Sequence, residues 1–142
     1  MFTHIMVGAN DITAMVAFYD AVLAPLGLRR TTDVDATDTG TISPAGVIWQ
    51  YPGQRWPQFA LRHPVNGEPA TAGNGVQIAF RCPSRKAVRR AWETALNRGG
   101  SDEGAPGDRP IYSDDFHAAY VRDPEGNKLC FLHCHAFSES AP

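Results

Sequence analysis

The chain repeats itself. Displaced by 73 positions, His4-Ile5-Met6-Val7 falls on Gln77-Ile78-Ala79-Phe80. Asp11 then falls on Ser84, and both residue types cap helix N-termini. Ala14-Met15 meets Ala87-Val88, Phe18-Tyr19 meets Ala91-Trp92, and Val22-Leu23 meets Ala95-Leu96, so one apolar helical face recurs. Gly27 falls on Gly100, each suited to the turn that follows a helix. A shared order of strand, cap, helix and closing glycine restricts the fold to two copies of one supersecondary unit.

Each copy can be read in more detail. Phe2 to Val7 alternates and stops at Gly8, which predicts a strand. Met15, Phe18, Tyr19, Val22 and Leu23 recur at helical spacing, and Pro25 with Gly27 ends that helix. Arg29 to Asp33, Val47 to Tyr51 and Gln58 to His63 read as three short strands. Residues 64–75 hold two prolines and three glycines and read as a linker. In the second copy Val76 to Cys82 reads as a strand and Ser84 to Arg98 as a helix. Ser101 to Pro110 is loop-rich, with room for a short strand. Phe116 to Arg122 and Lys128 to His133 are strands joined by the turn Asp123-Pro124-Glu125-Gly126-Asn127, where proline presets φ and glycine supplies a positive one. The expectation is a single α+β domain over residues 1–142, with a first βαβββ module at 1–63, a second at 76–135 and a tail at 136–142.

Bulk properties exclude several function classes. With 142 residues, 43% hydrophobic and 20% charged, the chain can bury an ordinary core. A net charge of −2 offers no general attraction to nucleic acid or anionic lipid, so neither is expected as a partner. Met1-Phe2-Thr3-His4-Ile5 lacks the basic region and apolar run of a signal peptide. No apolar stretch approaches the roughly 20 residues of a membrane span. Three cysteines, Cys82, Cys130 and Cys134, do not make a disulfide framework and predict a reducing, cytoplasmic location. Cys130 and Cys134 with His133 and His135 lack the second ligand pair of a closed zinc site.

These residues carry a resemblance. His4-x6-Asp11, Ala17-Phe18-Tyr19, Leu23-x-Pro25-Leu26-Gly27, Val76 to Phe80, and Tyr120 to Leu129 occur in the order of the vicinal oxygen chelate (glyoxalase/bleomycin resistance/dioxygenase) superfamily, over essentially the whole chain. The resemblance implies two βαβββ modules whose curled mixed sheets form a half-barrel around a central cup. In many members a divalent ion sits in that cup, held by one residue from each module's first strand and one from each module's last. Those positions here are His4, Ala60, Gln77 and Cys130. Ala60 has no donor atom, and Cys130 stands where the family pattern usually has Glu. His4, Gln77 and Cys130 remain as candidate metal ligands, but one imidazole, one amide and one thiol without a carboxylate are a weak set. The expectation is therefore no cofactor, with a divalent metal as the alternative.

Strand alternation places the remaining site residues. Ile5 and Val7 read as core, so His4 and Met6 face the cup. Gln77, Ala79 and Arg81 follow on the second module's first strand, Arg62 follows Ala60, and Ala118, Tyr120 and Cys130 come from the last two strands. On the third strand either Trp49 with Tyr51 or Ile48 with Gln50 lines the cup. The candidate ligand-binding residues are His4, Met6, Trp49, Arg62, Gln77, Arg81, Tyr120 and Cys130, an aromatic wall with arginines suited to a planar or anionic molecule. His117 alternates with Ala118 and Tyr120 and points away from the cup.

Three functions fit. The first is a small-molecule-binding protein with a degenerate metal site, as in resistance-type members. The second is a divalent-metal-dependent lyase, isomerase or dioxygenase with an altered ligand set centred on His4. The third is a dimerisation or regulatory module. The resemblance also implies a homodimer.

Overall fold

Asp11 and Ser84 start the two long helices as their residue types predict. The Asp11 carboxylate accepts from the Ala14 amide at 3.0 Å, and the Ser84 hydroxyl from the Ala87 amide at 3.1 Å. The computed structural model describes residues 1–31 and 46–138. Its elements in chain order are β1 (His4–Gly8), α1 (Ile12–Leu23), β2 (Arg29–Arg30), β3 (Val47–Gln50), β4 (Gln58–Arg62), β5 (Gln77–Arg81), α2 (Arg85–Asn97), β6 (Ser101–Asp108), β7 (His117–Arg122), β8 (Lys128–His133) and α3 (His135–Ser138). The chain divides into two compact units, residues 1–71 and 72–142, with the division inside the proline- and glycine-rich stretch 64–75.

Unit 1 is a four-stranded mixed sheet in the order β1-β4-β3-β2, with β1 and β4 parallel. Ile5 and Val7 lie beside Phe59 and Leu61, which pair in turn with Trp49 and Val47, so these six side chains share one face. Helix α1 covers that face with Met15, Phe18, Tyr19, Val22 and Leu23, all buried. The Tyr19 ring lies 4.7 Å from Phe59 and 5.8 Å from Trp49, centroid to centroid, within the range of favourable aromatic pairs. Of the strand expected over residues 29–33, the described part is Arg29–Arg30; residues 32 and 33 lie outside the described residues.

Unit 2 repeats the plan as β5-β8-β7-β6, with β5 and β8 parallel. Its helix presents small side chains, Ala87, Val88, Ala91 and Ala95, and the bulk comes from the sheet, where Phe80 and Phe131 stack at 6.4 Å. The turn from β7 to β8 is held by the buried Asp123 carboxylate, which accepts from the amides of Glu125 and Asn127 and from the Asn127 side chain at 2.8–3.0 Å. Gly126 takes the positive φ of 93° that the sequence assigned to it.

Three expectations need correction. Residues 101–110 are not mainly loop, because Ser101–Asp108 forms an eight-residue edge strand whose register against β7 shifts at Gly104 and again at Gly107. The left-handed residue closing α2 is Gly99 rather than Gly100. The tail begins with a short helical turn, α3, before residues 139–142, which lie outside the described residues. No helix among the described residues is long and apolar enough to cross a membrane.

Candidate ligand-binding site

In unit 1 the face turned away from α1 carries the residues that alternate with the core. His4 lies beside Gln58, Met6 beside Ala60 and Gly8 beside Arg62, and Ile48 pairs with Ala60. Gln58 donates to the Gln50 side-chain oxygen at 2.9 Å, tying two of these strands together on that face. The His4 Nδ1 is 3.1 Å from the Thr3 hydroxyl, and its ring is 6.3 Å from Trp56, which packs under the Arg55 guanidinium at 5.2 Å. His4, Met6 and Arg62 thus share one face, as strand alternation required. Trp49 does not join them. It is 1% exposed, packs on Tyr19 and Phe59, and donates its indole N–H to Asp20 of α1 at 2.9 Å. The expectation that Trp49 binds ligand is corrected: Ile48 and Gln50 occupy the site face of β3.

At the Gly8 end of this face lies a pocket of about 340 Å³, lined by Met6, Gly8, Arg62 and residues of the segment 63–71. Its existence follows from local chemistry. A side chain at Gly8 would place Cβ 3.1 Å from Ala70 Cβ and 3.4 Å from Pro64 Cγ, so glycine lets the segment close against the strand. The Asn10 side chain then acts as a piece of backbone, donating to the Ala70 carbonyl at 3.0 Å and accepting from the Ala70 amide at 2.7 Å. The His63 Nδ1 is 2.9 Å from the Ala9 carbonyl oxygen and anchors the near end. Met6 (52% exposed), Pro64, Val65, Pro69 and Ala70 supply an apolar lining. Arg62 supplies the charge. Its Nε donates to the His63 carbonyl at 3.3 Å, and it makes no ion pair with any described carboxylate.

In unit 2 the face turned away from α2 carries Gln77 beside Lys128, Ala79 beside Cys130 and Arg81 beside Leu132, with Tyr120 opposite Cys130 on β7. Four expected site residues, Gln77, Arg81, Tyr120 and Cys130, therefore share this face. Arg81 is held by the C-terminal turn: it donates to the Phe137 carbonyl at 2.9 Å and lies 5.3 Å over the Phe137 ring. Cys130 is 1% exposed and pairs across the sheet with Tyr120. Burial pushes its thiol up to about 11, against smaller downward pulls from Tyr120, Arg109 and Lys128. His117 lies on the opposite side parity, with its Nδ1 2.8 Å from the Asp108 carboxylate. Two residues not among the expected site residues, Arg109 and Lys128, reach the Tyr120 ring at 5.7 and 5.6 Å. Lys128 was legible, standing two residues before Cys130 on one strand. Arg109 was not, because the strand it follows was read as loop.

The family's metal positions test poorly here on donor chemistry. The Ala60 side chain supplies no lone pair, Gln77 is a neutral amide, and Cys130 stands where the family pattern usually has a carboxylate. Among the described residues no group of three or more His, Cys, Asp and Glu side chains is arranged to hold a metal ion. His4, Gln77 and Cys130 together offer one imidazole, one amide and one thiol and no carboxylate, a weak donor set for a divalent ion.

Comparison with known proteins agrees with this architecture. A sequence model described as the Glyoxalase/Bleomycin resistance protein/Dioxygenase superfamily matches residues 1–131. A glyoxalase/bleomycin resistance protein from Albidiferax ferrireducens T118 is 35% identical, with a TM-score of 0.75 over 94% of this chain and 98% of that one. A glyoxalase/bleomycin resistance protein/dioxygenase family enzyme from Burkholderia phytofirmans PsJN shares the fold at 20% identity, TM-score 0.66, over 92% of this chain and 95% of that one. A glyoxalase-related enzyme from Fulvimarina pelagi does so at 18% identity, TM-score 0.65, over 93% and 86%. No curated protein matches.

Proposed function

Because the chain belongs to the Glyoxalase/Bleomycin resistance protein/Dioxygenase superfamily, we propose that it binds a small organic molecule in the pocket of unit 1 and does so without a metal ion. The pocket carries this reading. Its volume of about 340 Å³ falls at the lower end of the roughly 300–1,000 Å³ typical of small-molecule sites. Its lining is mainly apolar with one cation, the composition that fixes a ligand by desolvation and orients it by charge. A molecule with an apolar body and a carboxylate aimed at Arg62 suits it. The donor chemistry at His4, Gln77 and Cys130 supports metal independence. Membership of the superfamily supports a homodimer. The three free cysteines support a reducing, cytoplasmic setting.

Thermal-shift titration of chelator-treated protein with matched small carboxylates and amides tests the proposal. Carboxylates are expected to stabilise the wild type, Arg62→Gln to weaken them about tenfold, and Met6→Trp, which fills the pocket, to abolish the effect. Stabilisation that survives Met6→Trp, or that needs added Mn²⁺, Ni²⁺ or Fe²⁺, overturns it. Sedimentation at micromolar concentration checks the dimer, and a species of monomer mass counts against it.

A further inference from the structure

The segment 63–71 forms one wall of the unit 1 pocket, and both of its ends grip the residues that follow β1. At the near end Ala9 donates to the Arg62 carbonyl at 2.9 Å, and the His63 Nδ1 lies 2.9 Å from the Ala9 carbonyl oxygen. These contacts continue the parallel ladder of β1 and β4, whose last pair is Gly8 with Arg62. At the far end the hold is the Asn10 side chain, bonded to the Ala70 amide at 2.7 Å and to the Ala70 carbonyl at 3.0 Å. Both of these bonds are exposed to solvent, where water competes for the same donors and acceptors. The two attachments differ in kind: one extends the sheet, the other is a side-chain clip.

Between its ends the segment is tied to itself. Gly67 donates to the Pro64 carbonyl at 3.1 Å, and the Glu68 amide to the Asn66 side-chain oxygen at 3.0 Å. Pro64 and Pro69 flank that turn and restrict its backbone. A loop closed on itself in this way moves as one piece. Beyond it residues 71–76 are all exposed and include Gly73 and Gly75, which leave the chain slack to follow such a movement. Gly8 sets how closely the segment seats, since a Cβ there would lie 3.1 Å from the Ala70 Cβ and 3.4 Å from Pro64 Cγ. Gly8 does not take a positive φ, so alanine fits its backbone and acts by pushing Ala70 and Pro64 away.

We propose that residues 63–70 are a door to the unit 1 pocket, hinged where His63 meets Ala9 and released at the Asn10–Ala70 clip. Opening breaks the two exposed bonds and leaves the β1–β4 ladder intact. A small molecule in the pocket touches the strands through Met6 and Arg62 and the door through Pro64 and Pro69, so it binds the closed form more tightly and holds the clip shut. By linkage the closed clip raises affinity for that molecule by the same factor. The ligand's part in this rests on the reading of the pocket as a small-molecule site; the opening of the door does not.

Amide hydrogen exchange of the whole chain, resolved by NMR, tests the door with and without ligand. Without ligand, protection of the Ala70 amide is expected to be about tenfold or more below that of the Ala9 amide, because Ala70 is released without the sheet. Gly8→Ala and Asn10→Ala should each lower Ala70 protection about tenfold further and leave Ala9 unchanged. With benzoate or phenylacetate at about ten times the dissociation constant read from the Met6 methyl signal, Ala70 protection should rise about tenfold. Equal protection of Ala9 and Ala70 in the ligand-free wild type, or loss of both together in either variant, overturns the door. So does a carboxylate that moves the Met6 methyl saturably and leaves Ala70 protection unchanged, an outcome that keeps the pocket as a ligand site. A Met6 methyl signal that stays still with both carboxylates counts against the pocket instead, and the ligand-free comparison of Ala9 with Ala70 then decides the door.

Discussion

The indole N–H of Trp49 donates to the Asp20 carboxylate across 2.9 Å, and this bond fixes which face of β3 belongs to the core. Asp20 sits on α1 and also pairs with Arg30 at 3.2 Å, so one carboxylate links the helix to two strands. Trp49→Ala is expected to cost about 3–5 kcal/mol of stability, as for other large core truncations, and Asp20→Ala about 1–2 kcal/mol. Denaturant unfolding of the two variants checks both figures. A Trp49→Ala variant as stable as wild type would return that side chain to the surface.

Asn10 holds the pocket wall from sixty residues away in sequence. Asn10→Ala removes both bonds to Ala70 and is expected to lower stability by only about 1–2 kcal/mol. Its larger effect should be on ligand affinity, because the segment 64–71 loses its fixed distance from Gly8. The Ala70 amide, bonded to Asn10 in the wild type, should exchange its hydrogen markedly faster in the variant. Unchanged protection there contradicts the role given to Asn10.

The thiols make a prediction with a definite sign. Burial is the largest cause raising Cys82 to about 12 and Cys130 to about 11, from an ordinary value near 9. A folded-state value above the unfolded one means that their contribution to stability is complete below about pH 9 and is lost as pH rises toward 11–12. Stability should therefore fall with rising pH across that window, and Cys130→Ala should soften the fall. Under native conditions near pH 8, iodoacetamide should label Cys134, which is partly exposed, well before the two buried cysteines. Mass spectrometry of timed samples reads this out, and early labelling of Cys130 would show a reactive thiolate instead.

Much of this arrangement was legible in the residues. The repeat gave both modules, and a period of two placed His4, Met6 and Arg62 on one face and Gln77, Arg81, Tyr120 and Cys130 on another. Of the two residues read as core on β1, Val7 is buried but Ile5, nearer the strand's start, is 37% exposed. Trp49 escaped because both parities of β3 carry an apolar residue, Val47 with Trp49 and Ile48 with Gln50, and the deciding partner, Asp20, lies on a helix. Strand β6 escaped because Gly104, Ala105, Pro106 and Gly107 are poor strand formers. It forms at the sheet edge, where register shifts accommodate the glycines and a proline needs no outer partner. The pocket escaped because it depends on a long-range bond between an amide side chain and a linker carbonyl, which no local pattern encodes.

Metal-free recognition of a small molecule is the central claim, and the Met6 methyl group reports on it directly. In chelator-stripped protein, a ¹³C-methyl titration with a carboxylate that stabilises the wild type should move the Met6 signal saturably. The same titration after Arg62→Gln should need roughly ten times more ligand. A Met6 signal that stays still, or that moves only once a divalent ion is restored, contradicts the account.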